Sequence, residues 1–553
     1  MGLLWKYLSK KTIDSRTDID TVISVLLKNR NINSDNLESF LEPINPDKIK
    51  IEDLGVDKKE LLKSYKRVEK AVKENEQVAI YGDYDADGIC AVANVWETLS
   101  YLGLKPHPFI PDRTNDGYGL RLESIDKLKQ KLPELSLIIT VDNGITAHKA
   151  IKAAKKQGID VIVIDHHQKD SKPLSSYAII HSTQVSAGFL SWLWCKKYKK
   201  LSLDLAVIST ISDVMTLQGA NRSVVKYGLA SINNTKRKGL INLCKSAGVA
   251  LDKNIEVYHV GFMIAPRINA LGRVADSLDA LRLLCFNKDR IAKDLSLLAN
   301  QVNQKRQLMV EEGLTKALMQ SKKSRDKLLA VYDKSFHKGI IGLIASKLTE
   351  KYYRPSLVMS IDRDIIHGSA RSVDGIDITK LLRKSKILLE VGGHEKAAGF
   401  SLREKDLKKF IKELRGISKN IDESKLVPVL NLDAKLDMSA LSLNFYDKLN
   451  RLSPYGEGNP EPLFASEKLR VLTAQTVGRD NNHLKLLLDD AKTERIEKIK
   501  AEAMGFNMGK MFPELMPGDE IDIAYSLLEN IWQGRRSLTL KIKDLKIRKQ
   551  MVK

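Results

Sequence analysis

Cysteine is scarce in this chain: there are four in 553 residues (Cys90, Cys195, Cys244 and Cys285), and no two form a CxxC pair. That spacing excludes a zinc ribbon and a disulfide framework and fits a reducing, cytoplasmic setting. Long apolar runs are missing as well. No stretch approaches the length that spans a bilayer, and the opening MGLLWKYLSKKTIDSRTDID has neither an apolar h-region nor a small-residue cleavage site. Lys6 stands where a myristoylation signal needs Ser or Thr. Neither export nor membrane attachment is expected. Tandem repeats and low-complexity tracts are absent, and 43% apolar with 29% charged residues excludes bulk disorder and a fibrous repeat.

Acidic residues are in deficit, 69 against 91 basic ones, for a net charge of +22. A polyanionic partner is the first suspicion, but a merely soluble basic protein fits the charge equally well, so the motifs must decide. At one domain per roughly 150 residues, three or four domains are expected.

Residues 1 to about 50 read as a short helical preamble, and 55–75 as a charged amphipathic helix leading into the strand QVAIYG. Then come strand 77–82, helix 88–102, a strand near 107–110, strand 136–141, helix 146–157 and strand 160–165. Strands alternating with helices imply a mostly parallel sheet. LIITV and VIVI are apolar without alternation, as strands covered on both faces should be. The expected fold is α/β: a doubly wound parallel-sheet domain over 56–275, preceded by a helical segment 1–55. A connecting helix over 276–325, a second, smaller α/β domain over 326–423, and an OB-type β-barrel over 424–553 complete it.

Chemistry concentrates at the strand ends. YGDYDADG places Asp83, Asp85 and Asp87 at alternate positions, so in extended backbone their carboxylates project to one side. A solvated Asp/Gly turn is an even alternative for this segment alone. The next strand, however, ends at Asp142 in VDNGI, the following one at Asp165, His166 and His167 in IDHH, and a later apolar helix carries Asp213 in ISDV. Open α/β sheets bind ligands outside the carboxyl ends of their strands. Carboxylates mixed with imidazole suit Mn²⁺ or Mg²⁺, and four aspartates suit two ions better than one. Two such ions activate water for attack on phosphorus, which points to phosphoester hydrolysis.

At these residues the sequence resembles the DHH phosphoesterase superfamily, and across the chain it is similar to that family's bacterial single-strand-specific exonucleases. The likeness continues through GFMIAPRINALGR (261–273), HKGIIGLIASKL (337–348), HGSARS (367–372), GGHEKAAGF (392–400) and LSPYGEGNPEPLF (452–464). It implies that Asp83 and Asp85 bind different metals, that Asp142 bridges them, and that His166 and Asp213 are further ligands. His167 would contact the scissile phosphate, with Asp87 and Asp165 orienting the ligands. For the strand it implies Arg113, Tyr118, Arg267, Asn269 and Arg273, together with Arg371, Ser372, Gly392, Gly393 and His394 of the DHH-associated domain. In the barrel the resemblance implies His483 and Lys485 as further strand contacts. Trp532 is a candidate to stack on a base, but an aromatic in a small barrel is more often core, and it is kept out of the site.

The implied activity is a 5′-to-3′ exonuclease on single-stranded DNA, dependent on two Mn²⁺ or Mg²⁺ ions, releasing 5′-mononucleotides in repair and recombination. A single-strand-binding protein and a helicase are candidate partners, and a monomer is expected. Two readings compete: a phosphodiesterase for short oligonucleotides or cyclic dinucleotides, and a catalytically silent DNA-binding scaffold. The wording of 168–194 departs from the family pattern, while the implied metal set is complete.

Overall fold

The two unbroken apolar runs sit where their composition requires, in the middle of a sheet buried on both faces. In the computed structural model, which describes residues 3–111, 119–274, 276–322, 324–490 and 499–548, the strands Gln77–Tyr81, His107–Phe109, Leu135–Val141, Asp160–Asp165 and Ala178–His181 are all parallel. Their spatial order places His107–Phe109 at one edge, then Gln77–Tyr81, then the remaining three in sequence. The order therefore reverses between Gln77–Tyr81 and Leu135–Val141, and ligands of doubly wound sheets bind at such a switch point.

This sheet belongs to a unit formed by Ile44–Met215 and Ala220–Leu426. The segment whose wording departs from the family pattern ends in helix Ala187–Cys195, every residue of which is buried, including Trp192 and Trp194. The expected single connecting helix is two, Ser277–Cys285 and the 33-residue Asp289–Ser321, the latter about 50 Å long at 1.5 Å per residue. The second sheet of this unit is mixed. Leu329–Asp333 and Ser356–Asp362 pair in parallel, but Ile365–Arg371, Ala397–Arg403 and Glu390–His394 continue the sheet antiparallel. The Gly-rich segment forms the hairpin at its edge.

The other unit comprises Met1–Pro43, Thr216–Gly219 and Val427–Lys553. Five of its strands close into a ring: Phe464–Val477 pairs with His483–Asp490 on one side and Glu520–Trp532 on the other, and Lys500–Gly505 with Arg535–Ile547 completes the circuit. That is the expected barrel. The helical preamble read in the sequence holds for Ile19–Asn29 and Leu37–Leu41, but strands precede them: Leu4–Tyr7 pairs in parallel with Val429–Leu432, and Thr12–Ile13 with Ala434–Leu436. Buried Arg30 fixes this arrangement by bonding Asp433, Asn459 and the carbonyls of Leu26 and Pro460. Trp532 is not core. It ends the long strand at the hairpin tip, opposite Arg535 and beyond the closed ring, and is 72% exposed. No helix among the described residues is long and apolar enough to cross a membrane.

Candidate functional site

The acid loop is shaped by its contact with the helix that follows it. Asp85 caps helix Ala86–Tyr101, its Oδ1 accepting the backbone N–H groups of Asp87 and Gly88, each at 3.0 Å. A Cβ on Gly88 would lie 2.7 Å from the Asp83 carbonyl oxygen, so only glycine lets the loop fold this closely onto the helix. Asp83 and Asp87 are both buried.

Asp142 leaves the end of its strand with φ of +61°, a left-handed backbone that Asp tolerates better than most residues. Its N–H donates to Ile164 at 3.0 Å, and Asn143 Nδ2 donates to the Val141 carbonyl at 2.8 Å. These bonds hold the turn that brings Asp142 Oδ1 to 3.2 Å from His166 Nε2.

Four elements thus converge. Asp83, Asp85 and Asp142 form one group of donors, Asp142, His166 and His167 a second, and Asp87, His166 and Asp213 a third; within each, the ligand atoms lie within 4.8 Å of one another. His166 Nε2 is 3.2 Å from Asp142 Oδ1 and 3.7 Å from Asp87 Oδ2, while its Nδ1 is 3.7 Å from Asp213 Oδ2. Asp213 is the C-cap of helix Asp204–Ser212, a second apolar element delivering an acid.

Asp165 and Asp87, like Asp85, are tied to the protein by hydrogen bonds. Asp165 accepts the Ile145 N–H on Oδ2 at 2.9 Å, and on Oδ1 both the N–H of His167, at 3.1 Å, and its Nδ1, at 2.8 Å. Asp87 accepts the Ala187 and Gly188 N–H groups at 2.9 and 2.7 Å and the Ser209 hydroxyl at 2.5 Å. It seats the start of the buried Ala187–Cys195 helix. Ser209 and these two amides are site members that the sequence motifs do not reveal.

Charge crowding is visible in the protonation equilibria. Burial, then the charges of Asp87, Asp85 and Asp83, raises the Asp142 carboxyl well above the usual range. Burial and Asp87 likewise raise Asp85, against the opposing pull of the Gly88 amide and the Arg273 charge. Asp213 is pushed up to about 8 by burial, Asp87 and Asp85. Burial disfavours the His167 imidazolium, but the bond and charge of Asp165, with Asp213 and Asp83, outweigh it and raise His167 to about 9. Asp165 itself is lowered: burial works against its charge, and His167 more than compensates. A pocket of oxygen and imidazole donors in which burial and mutual repulsion raise the carboxyls fits divalent cations.

The residues read as strand contacts divide. Asn269 Oδ1 accepts the Ala86 N–H at 2.8 Å, and a Cβ on Gly272 would lie 2.0 Å from the Tyr84 carbonyl oxygen, so helix Ala265–Val274 packs directly on the acid loop. Arg273 acts electrostatically on Asp85 and donates to the Gly339 carbonyl at 3.1 Å, linking the loop to the second sheet's side of the unit. Arg267 donates to Asn300 and to the Met263 carbonyl. Arg371, Ser372, Gly392, Gly393 and His394 lie on or beside the second sheet. Arg371 Nη1 bonds Ser369 and the Ala370 carbonyl, Ser372 bonds the Ile376 carbonyl, and the His394 carbonyl accepts Thr379 Oγ1. Arg113 and Tyr118 lie outside the described residues.

Three family models match the chain: the DHH family, N-terminal domain, at 77–218, the DHHA1 domain at 325–420, and the RecJ OB domain at 432–544. The single-stranded-DNA-specific exonuclease RecJ of Bacillus subtilis is 33% identical over 497 residues, covering 86% of this chain and 62% of that protein. The chain thus spans less than two thirds of that relative's length. The enzyme of the same name from Thermus thermophilus is 31% identical over 499 residues, covering 87% of this chain and 70% of that one. The crystal structure of the Thermus thermophilus RecJ in complex with Mn²⁺ superposes with a TM-score of 0.79 at 27% identity, covering 99% of this chain and 80% of that one.

Proposed function

Because the chain belongs to the RecJ family of DHH phosphoesterases, we propose that it is a metal-dependent exonuclease that degrades single-stranded DNA from its 5′ end. It releases 5′-mononucleotides and serves DNA repair and recombination. The observation that carries this reading is the position of Asp142, which belongs both to the aspartate group with Asp83 and Asp85 and to the imidazole group with His166 and His167. A residue shared between two donor groups is what a bridging ligand requires.

In this reading Asp83 and Asp85 would hold different ions, Asp142 would be shared between them, and His166 and Asp213 would complete the set. Mn²⁺ or Mg²⁺ bound there supplies an activated water and neutralises the phosphate oxygens. The chain's own groups do the rest. Asp165 holds Nδ1 of His167, which leaves Nε2 to donate to a phosphate oxygen. Asp87 fixes the helix start behind His166. Arg113, Tyr118, Arg267, Arg371, Ser372, Gly392, Gly393 and His394 serve the strand path, while Asn269 and Arg273 act on it through the acid loop. The enzyme works in the cytoplasm as a monomer, alongside a helicase and a single-strand-binding protein.

The test is to incubate the protein and Mn²⁺ with oligonucleotides labelled at either end, single-stranded or duplex, beside Asp142→Asn. Early release of mononucleotide from the 5′ label, on single strands only and absent in the variant, is the expected result. Cleavage confined to the shortest oligomers would point to an oligonucleotide phosphodiesterase. Binding without cleavage under either metal would point to a scaffold.

A further inference from the structure

Residues 168–194, whose wording departs from the family pattern, contain a side chain that turns back to the acid cluster. His181 ends the strand Ala178–His181, which pairs in parallel with Asp160–Asp165 and sets His181 in register with Asp165. The strand pairing stops there, but the half-buried imidazole reaches further: its Nε2 is 2.7 Å from the carbonyl oxygen of His167. A carbonyl oxygen only accepts, so Nε2 carries the proton and donates it.

His167 is thereby gripped at three points. Asp165 Oδ1 accepts both its N–H and its Nδ1, and His181 donates to its carbonyl. The third grip falls at a boundary, because the residues that follow, 168–173, are all exposed and belong to no helix or strand. Without His181 the peptide after His167 would turn with that loop, and the direction of the ring with it. A small error in aim at a reacting phosphate is costly to the rate and nearly invisible in ground-state binding. The same segment supplies the Ala187 and Gly188 N–H groups that Asp87 accepts, so it braces the cluster at two places.

We infer that His181 is a positioning residue for the reaction: by holding the His167 carbonyl it fixes the backbone from which the imidazole reaches the scissile phosphate. This rests on the reading of the chain as a single-strand exonuclease in which His167 contacts that phosphate.

The test is a double-mutant cycle on the full chain with Mn²⁺ at pH 8, following mononucleotide release from a 5′-labelled single strand, with strand binding in EDTA measured alongside. His181→Leu removes the donor and is expected to lower kcat about 5- to 50-fold, with KM and the affinity in EDTA within about twofold of wild type. His181→Gln, whose amide donates at a similar reach, should recover most of the loss. In a His167→Ala background, read at enzyme excess over long times, His181→Leu should cost nothing further, since no ring is left to aim. A folded His181→Leu protein with wild-type kcat overturns the inference. So does an equal loss in both backgrounds, which would make His181 a support of the fold alone. Should His181→Leu fail to fold, Nδ-methylhistidine in place of His181 decides: it keeps the ring but leaves Nε2 without a proton at pH 8, well above the ordinary histidine pKa of about 6.5. A lowered kcat then supports the inference, and a wild-type kcat overturns it. If the wild-type protein degrades no strand, the exonuclease reading falls and the inference with it. If the wild type is active and His167→Ala matches it, the role of His167 falls, leaving His181 nothing to position.

Discussion

Asn269 Oδ1 accepts the backbone N–H of Ala86 at 2.8 Å, tying a helix that the motifs assign to DNA directly to the loop that carries Asp83, Asp85 and Asp87. The bond makes Asn269 a support of the acid loop. Asn269→Ala leaves the Ala86 amide without its acceptor, a loss of about 1–3 kcal/mol. The expected outcome is a fall in kcat of about tenfold or more, with KM for the strand little changed. A rise in KM alone would return Asn269 to direct DNA contact.

Asp142→Asn is expected to abolish hydrolysis while strand binding in EDTA persists. Asn tolerates the left-handed backbone at this position, so the substitution removes charge without the strain that Ala would add. Calorimetric titration with Mn²⁺ should show weakened binding or fewer ions bound, and substantial residual cleavage would remove Asp142 from the bridging role.

Metal binding should release protons. Asp142 and Asp85 are raised and Asp213 titrates near 8 in the metal-free protein, whereas an unfolded Asp titrates near 3.9. Between those values the folded state binds more protons than the unfolded one, so metal-free stability falls as pH rises toward 8. Mn²⁺ needs the deprotonated carboxylates, so its affinity rises over the same interval. The gap in Tm between metal-loaded and metal-free protein should widen from pH 6 to pH 8. Calorimetry in buffers of different ionisation enthalpy should detect the released protons.

Asp165→Asn removes the charge that raises His167 to about 9. The His167 pKa should fall toward 6.5, the ordinary histidine value. If the imidazolium donates to phosphate, the alkaline limb of the pH profile of kcat/KM moves down by one unit or more and activity at pH 8 drops. An unmoved limb would show that it reports another group.

The acid cluster was legible because its members sit at fixed points of a repeating pattern: alternate residues after one strand, then the ends of the next two. Asp213, on a helix, was legible as an acid in an otherwise apolar run, and the family resemblance implied its role as a ligand. What Asp87 holds could not be read, since its partners Ala187, Gly188 and Ser209 lie about a hundred residues on and offer backbone amides and one serine hydroxyl. The short strands Leu4–Tyr7 and Thr12–Ile13 escaped notice for a related reason. Too brief to show a period, they become strands only through Val429–Leu432 and Ala434–Leu436. Trp532 was misjudged because hydrophobicity does not reveal how far a hairpin runs past its barrel.

The pairing of Leu4–Tyr7 with Val429–Leu432 has a consequence for biosynthesis. On the ribosome the first of these strands emerges long before its partner, and the Ile44–Met215 and Ala220–Leu426 segments of the acid-bearing unit are synthesised between them. The two units are therefore completed in a fixed order during synthesis. The acid-bearing unit has all of its residues while the barrel still waits for its own, and a nascent chain stalled before residue 429 would carry the whole acid cluster with its first strand unpaired.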